Sequence, residues 1–328
     1  MAGRSMLVVV AFCGAAASSA WAQPQAQAQL SWPVRPVRLI VPFAPGAGTD
    51  ALSRILGAKL GDDLGQQFII DNRAGAGGVI GTEIAAKAAP DGYTLLFSPA
   101  SHATNPAVFS QLSFDTERDF VPVSIVAALP VVLGVESNVP ARTVKELVAL
   151  ARAKPGELSA GSSGNGTLFH LVLESFKKAA AVDIVHVPFK GGAPAVQALT
   201  GGQVALAFET SLTLLPHVKS GRIRALAVAS RSRIALMPDV PTLAEAGYDG
   251  IVAENWYGLY VPRGTPRPVV ERLSAATRRA LASTDLRERM AAQGAEIRDL
   301  GPAEAAAFVR TEIARWARIA REANVKIN

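Results

Sequence analysis

Three stretches of this chain combine glycine with small hydroxyl residues, as anion cradles do. Pro45-Gly46-Ala47-Gly48-Thr49-Asp50 follows an apolar run and opens a stretch with helical spacing. Glycines let the backbone approach a ligand closely, and a helix start offers free N–H groups and the positive end of its dipole. Ser101-His-Ala-Thr-Asn-Pro106 follows a third predicted strand. Gly161-Ser-Ser-Gly-Asn-Gly-Thr167 follows a strand of the second half and is dense in potential N–H and O–H donors. Gly75-Ala-Gly-Gly78 is a further glycine-rich turn. Each also reads as ordinary turn chemistry, and Thr49 or Asp50 as a plain helix cap. Their recurrence at the carboxyl ends of predicted strands is what points to a ligand site.

Other chemistries find less support. Gly46-x-Gly48-x-x-Ala51 fits the dinucleotide fingerprint, with Asp71 about 20 residues on, but Pro45 removes a backbone N–H just before the turn. The N-terminus, with Arg4, the apolar run Met6 to Ala17 and Ala20-Trp21-Ala22, also reads as an export signal that would take the chain away from the free cofactor. Around Ser163 the last position of a nucleophile elbow is Asn165 rather than glycine. The four histidines, His102, His170, His186 and His217, have no metal-ligand spacing, and the single cysteine is Cys13. No catalytic residue, metal site or cofactor is expected.

The elements that would position these loops alternate. Arg38 to Phe43, Phe68 to Asp71 and Thr94 to Ser98 read as strands, separated by helices at Asp50 to Leu64 and Gly81 to Ala88. The pattern restarts at the capping box Thr143-Val-Lys-Glu146. Helices follow to about Ala153, at Leu168 to Ala180 and at Val196 to Thr200. Strands are expected at Leu158 to Ser162, Ile184 to Val187, Val204 to Phe208 and Ile223 to Ala229. The last part reads as helical over Pro268 to Leu281, Asp285 to Gln293 and Pro302 to Asn324. The expectation is two α/β halves with mostly parallel sheets, crossed by extended segments near Ile125 to Val135 and Ala253 to Val261.

Of the 328 residues 49 % are hydrophobic and 18 % charged, which suits a packed core rather than disorder. The net charge of +6 is scattered without a basic stripe, so no nucleic-acid partner is expected. Arg4, the apolar run Met6 to Ala17 and Ala20-Trp21-Ala22 read as a signal peptide over residues 1–22, cleaved after Ala22. The mature chain would then be periplasmic, without stable membrane insertion.

Six segments carry a family resemblance: RLIVPFAPGAGTD from Arg38, NRAGAGGVIG from Asn72, KAAPDGYTLL from Lys87, HVPFKGGAPA from His186, SGRIRALAVAS from Ser220 and PDVPTLAEAGY from Pro238. Together and in order they resemble the Bug family of periplasmic receptors, the solute-binding component of tripartite tricarboxylate transport systems. The resemblance implies a two-lobed Venus-flytrap periplasmic binding fold of type II. Its lobes would span residues 31–128 plus 253–328 and residues 129–252, with two hinge strands and a C-terminal helical segment.

It also implies a small carboxylate held between the lobes and handed to membrane transporter subunits by transient docking. Carried over residue by residue, the ligand-binding set is Phe43, Gly46, Ala47, Gly48, Thr49 and Asp50 on the first loop, and His102, Ala103, Thr104 and Asn105 on the next. On the second lobe it is Ser162, Ser163, Gly166, Thr167, His170, Phe189, Lys190, Gly191 and Glu209. Phe189 and Glu209 depart from the Tyr and Asp common there, which bears on the ligand's distal end. A ligand-loaded partner of a signalling sensor, or an exported hydrolase, stands as the alternative.

Overall fold

The computed structural model describes residues 31–327, so the expected signal peptide lies outside the described residues. From Pro33 the chain forms one compact unit. Its strands are β1 (Val37–Val41), β2 (Phe68–Asn72), β3 (Thr94–Pro99), β4 (Phe120–Glu136), β5 (Ser159–Ser162), β6 (Val185–Pro188), β7 (Leu206–Thr210), β8 (Ile223–Val228), β9 (Glu254–Pro262) and β10 (Glu296–Leu300). Its helices are α1 (Gly48–Leu64), α2 (Val79–Ala86), α3 (Ser101–Val108), α4 (Val144–Ala153), α5 (Leu168–Ala180), α6 (Gly192–Thr200), α7 (Ser211–Lys219), α8 (Arg267–Ala282), α9 (Thr284–Ala292) and α10 (Pro302–Glu322).

Local rules account for most boundaries. In α1 the buried Leu52, Ile55, Leu56, Leu60 and Leu64 form one helical stripe. Gly65 ends it in the left-handed region, its N–H bonding Gly61 O at 2.9 Å. Thr143 caps α4 by accepting from the Glu146 N–H at 3.1 Å. Pro302 sits in the first turn of α10, and Glu304 reaches back to the Gly301 N–H at 3.1 Å.

The strand order is β2-β1-β3-β9-β4-β7-β5-β6, with β8 and β10 also pairing β4. β4 carries this arrangement. Its first part, to Pro130, pairs β9 and β10; from Val131 on it pairs β7 and β8. Pro130 falls at the changeover, the end of one ladder and the start of the next, where a residue without an N–H is tolerated. The pairings of β1 with β2 and β3, and of β5 with β6 and β7, are parallel. All pairings through β4 and β9 are antiparallel. The sheet is therefore mixed, not mostly parallel, because the two long strands run back through its middle.

Three further expectations are corrected. Ser101–Val108, expected as a loop, is a helix despite Pro106. Pro106 has no N–H for the His102 carbonyl one turn back, and the Thr116 hydroxyl donates to that carbonyl instead, at 3.2 Å. Helix α7, with Pro216 inside it, is not among the elements expected from the sequence. Strand β10 interrupts the helical C-terminal part and pairs with Ala127 and Ala128 of β4. Among the described residues no helix is long and apolar enough to cross a membrane.

Candidate ligand-binding site

Five helix N-termini meet at one cavity. About 360 Å³ of atom-free space lies there, part of it open to solvent. Gly48 and Thr49 begin α1, Ser101 begins α3, Leu168 and Phe169 begin α5, Gly192 begins α6, and Thr210 precedes α7; all line it. The first N–H groups of each helix have no intrahelical acceptor and carry the positive dipole end. Among the described residues no Lys or Arg lines the cavity. Its positive character comes from backbone amides, the arrangement that holds anions without a cationic side chain.

The first loop is braced from behind. Asp50 is buried and accepts from the Gly46 N–H at 3.1 Å, from Asn72 Nδ2 at 3.1 Å and from Arg54 Nε at 3.1 Å. Burial alone would raise its carboxyl, but these hydrogen bonds outweigh it and hold it below the usual carboxylate range. The Gly46 amide is thus engaged by Asp50, and the free donors of this loop are those that begin α1.

β9 adds a polarised chain that sequence reading missed. The Ala100 N–H donates to Asn255 Oδ1 at 3.3 Å, and Asn255 Nδ2 donates to the Tyr257 hydroxyl oxygen at 2.8 Å. With that oxygen accepting, the Tyr257 proton is free to point into the cavity it lines. Burial, with Glu209 nearby, pushes the Tyr257 phenol well above its ordinary value, so it stays a neutral donor. A Cβ on Gly48 would stand 2.6 Å from this hydroxyl, so glycine is what admits Tyr257 to the helix start. The pattern ENWYGLYVP reads only as an apolar strand, and nothing in it marks Asn255 or Tyr257 as facing a cavity.

Glu209, next to last in β7, lies inside the cavity, 2 % exposed. Its Oε2 accepts the Ser163 hydroxyl at 2.6 Å and its Oε1 the Thr210 N–H at 2.9 Å. A Cβ on Gly192 would overlap this carboxylate, so the glycine leaves room for the longer acid. Burial pushes the Glu209 carboxyl up to about 7 against two hydrogen bonds that lower it. A raised carboxyl favours folding in its protonated form. That stability is fully present below its unfolded value of 4.5 and is lost as pH rises through about 7. Glu209→Gln mimics the protonated acid. In urea titrations of ligand-free protein it is expected to add roughly 2–3 kcal/mol at about pH 8 and close to nothing at about pH 5. Equal effects at both pH values would contradict this account.

The anticipated residues separate into three places. Phe43, Ala47, Gly48, Thr49, Ser163, Thr167 and Glu209 line the cavity. A second group fastens the rim. Thr104 Oγ1 donates to Gly166 O at 2.6 Å, Asn105 Nδ2 to Gly77 O at 3.3 Å, and the Ala44 N–H to Lys190 O at 3.3 Å. Gly191 packs against Ala44, and Gly164 against Gly77. Ser162 and His170 brace the loop they belong to. Ser162 Oγ is 2.6 Å from His186 Nε2, His170 Nδ1 accepts the Gly166 N–H at 3.3 Å, and the two imidazoles stack at 4.1 Å. Burial pushes both rings down, His186 to about 3, so the stack is neutral.

The third group lies elsewhere. The His102 imidazole is buried between Phe120 and Tyr260, with centroids 5.1 and 4.1 Å away, and desolvation lowers it to about 3; it does not line the cavity. Its place on α3 turns it toward the core while Ser101 turns to the cavity. Ala103 is likewise buried in the core. The Lys190 residue is exposed and contributes its carbonyl, and Phe189 packs beside Gly161 rather than in the cavity. No cluster of three or more His, Cys, Asp or Glu suited to a metal occurs among the described residues.

Comparison with known proteins agrees with this architecture. Residues 52–325 match the family model described as tripartite tricarboxylate transporter family receptor. Protein BugT of Bordetella pertussis is 40 % identical over 299 residues, 90 % of this chain and 92 % of the relative. Three solved structures superpose closely. The periplasmic binding protein BugD is 34 % identical with a TM-score of 0.87, over 90 % of this chain and 99 % of that one. R. palustris Rpa4515 with adipate is 37 % identical with a TM-score of 0.87, over 90 % and 99 %. MatC of Rhodopseudomonas palustris with bound malate is 35 % identical with a TM-score of 0.85, over 88 % and 99 %. The fold is the two-lobed periplasmic binding fold, and the neighbours are binding proteins rather than enzymes. The chain belongs to the tripartite tricarboxylate transporter receptor family, that is, to the TctC and Bug solute-binding proteins.

Proposed function

We propose that this protein captures a small carboxylate between its two lobes in the periplasm and delivers it to a tripartite tricarboxylate-type membrane transporter. The observation that carries this reading is the convergence of five helix N-termini on a cavity with no cationic side chain. Backbone amides there offset the desolvation of a carboxylate by charge-assisted hydrogen bonds of about 1.5–3 kcal/mol each. The donors are those that begin α1, with Tyr257 and Ser101 beside them, while Glu209 and Ser163 meet the distal end. The lobes are residues 31–128 plus 253–328 and residues 129–252. The change of partners within β4 at Pro130 and Val131 supports that division. The signal peptide over residues 1–22 directs export. Adipate and malate in two neighbours support the ligand class.

Calorimetry on protein stripped of ligand by unfolding and refolding tests the reading. A panel of acetate, succinate, malate, glutamate, adipate and benzoate is expected to contain at least one acid bound with Kd near or below about 1 µM, roughly −8 kcal/mol. Absence of heat and of thermal shift for every acid on the panel would overturn it.

A further inference from the structure

Among the described residues Glu209 is the only acidic side chain lining the cavity, and none lining it is a cation. The charged and titratable groups of the surrounding elements leave it uncompensated. On α1, Asp50 is engaged by Arg54. On β9, Tyr257 is neutral, and so are His170 of α5 and His186 of β6. Helix α6 has no ionisable residue, and α7 carries its His217 and Lys219 in its last turn. Lys190 is exposed. A ligand carboxylate held at the start of α1 would share one small cavity with an ionised Glu209, two like charges in the same space. In such an arrangement one of the two takes a proton.

Ser163 makes that proton useful. Ionised Glu209 only accepts, so at 2.6 Å the Ser163 hydroxyl must donate to it. Protonated Glu209 donates to Ser163 Oγ instead, and the Ser163 proton is released to turn into the cavity. Thr210 keeps its bond to Oε1 in both states. One proton therefore changes the pair from an acceptor into a donor aimed at the ligand. We infer that the Ser163–Glu209 pair makes capture proton-linked: where Glu209 is ionised before binding, it takes one proton from solvent for each carboxylate enclosed and returns it when the ligand leaves. This rests on the carboxylate reading above. It assigns Glu209 the selection of the ligand's charge state, with Ser163 as the group that reports it to the ligand.

The test is calorimetry with the tightest binder of the same acid panel at about pH 5.5, 7 and 8.5, each in two buffers of different ionisation heat. Affinity is expected to fall about tenfold per pH unit above about pH 7, with proton uptake approaching one per ligand. Glu209→Gln is expected to remove both effects, so that its own affinity is the same near pH 5.5 and near pH 8.5. If that variant does not fold, the buffer dependence of the unaltered protein decides alone. An affinity that is flat across this range without proton uptake overturns the inference and leaves the carboxylate reading standing. Absence of binding by every acid at every pH would instead remove the reading on which it rests.

Discussion

A methyl group on Gly77 is expected to remove most of the protein's ligand affinity while leaving its fold intact. Gly77 lies in the turn before α2 with φ of +61°, and a Cβ there would overlap the carbonyl oxygen of Asn165. That carbonyl belongs to the loop that also carries Ser163 and Thr167. Gly77→Ala forces the two segments apart and strips the closed rim of the Asn105–Gly77 and Thr104–Gly166 hydrogen bonds. Two such bonds at about 1 kcal/mol each, with the displaced backbone, amount to roughly 3 kcal/mol against closure. That corresponds to about a 100-fold loss of affinity. The left-handed backbone adds only about 1 kcal/mol of destabilisation to the ligand-free protein. Calorimetry with a bound carboxylate, paired with small-angle scattering, separates the two effects. The variant should stay extended when ligand is added. Unchanged affinity, or normal compaction on binding, would show that this rim contact does not govern closure.

The second large effect concerns stability. Glu312 of α10 is 7 % exposed and takes two buried indoles on one carboxylate oxygen, Trp256 Nε1 at 3.1 Å and Trp316 Nε1 at 2.9 Å. Its other oxygen pairs with Arg315 at 3.2 Å. Trp256 belongs to β9, so this carboxylate ties the C-terminal helix to one of the two strands that cross the molecule. Glu312→Ala leaves two buried N–H donors without an acceptor, each costing about 1–3 kcal/mol, and opens a void beside them. The expected loss is on the order of 4 kcal/mol, read as a lowered urea midpoint with changed near-ultraviolet tryptophan dichroism. Glu312→Gln keeps an acceptor and should lose less than half as much. Equal losses in the two variants would mean that packing, rather than indole pairing, is what Glu312 provides.

Much of this architecture is legible in the sequence for a simple reason. Periodicity and caps are local properties. The stripe of Leu52, Ile55, Leu56, Leu60 and Leu64, the cap at Thr143 and the helix Leu168 to Ala180 depend only on neighbours a turn away. The glycine-rich loops at strand ends are equally local, and they marked Gly48, Thr49, Ser163 and Thr167, which line the cavity. The elements that escaped were those settled by distant partners. Helix α3 tolerates Pro106 because Thr116 takes over the stranded carbonyl, and β10 exists because β4 offers it an edge.

The same division holds at the site. The sequence by itself determined the family, the alternation of strands and helices, and which loops present free amides, because each follows from residue type and short-range spacing. It also placed an acid at position 209 and a serine at 163. Only the tertiary structure decided that these two, 46 residues apart, share a hydrogen bond in a cavity without a cation, since burial and electrostatic company are set by the whole fold. Only it turned His102 into the core and Tyr257 toward the cavity, because the face a side chain takes depends on what packs across from it. And only it brought Gly77 against Asn165, where a single hydrogen in place of a methyl group lets the two segments meet.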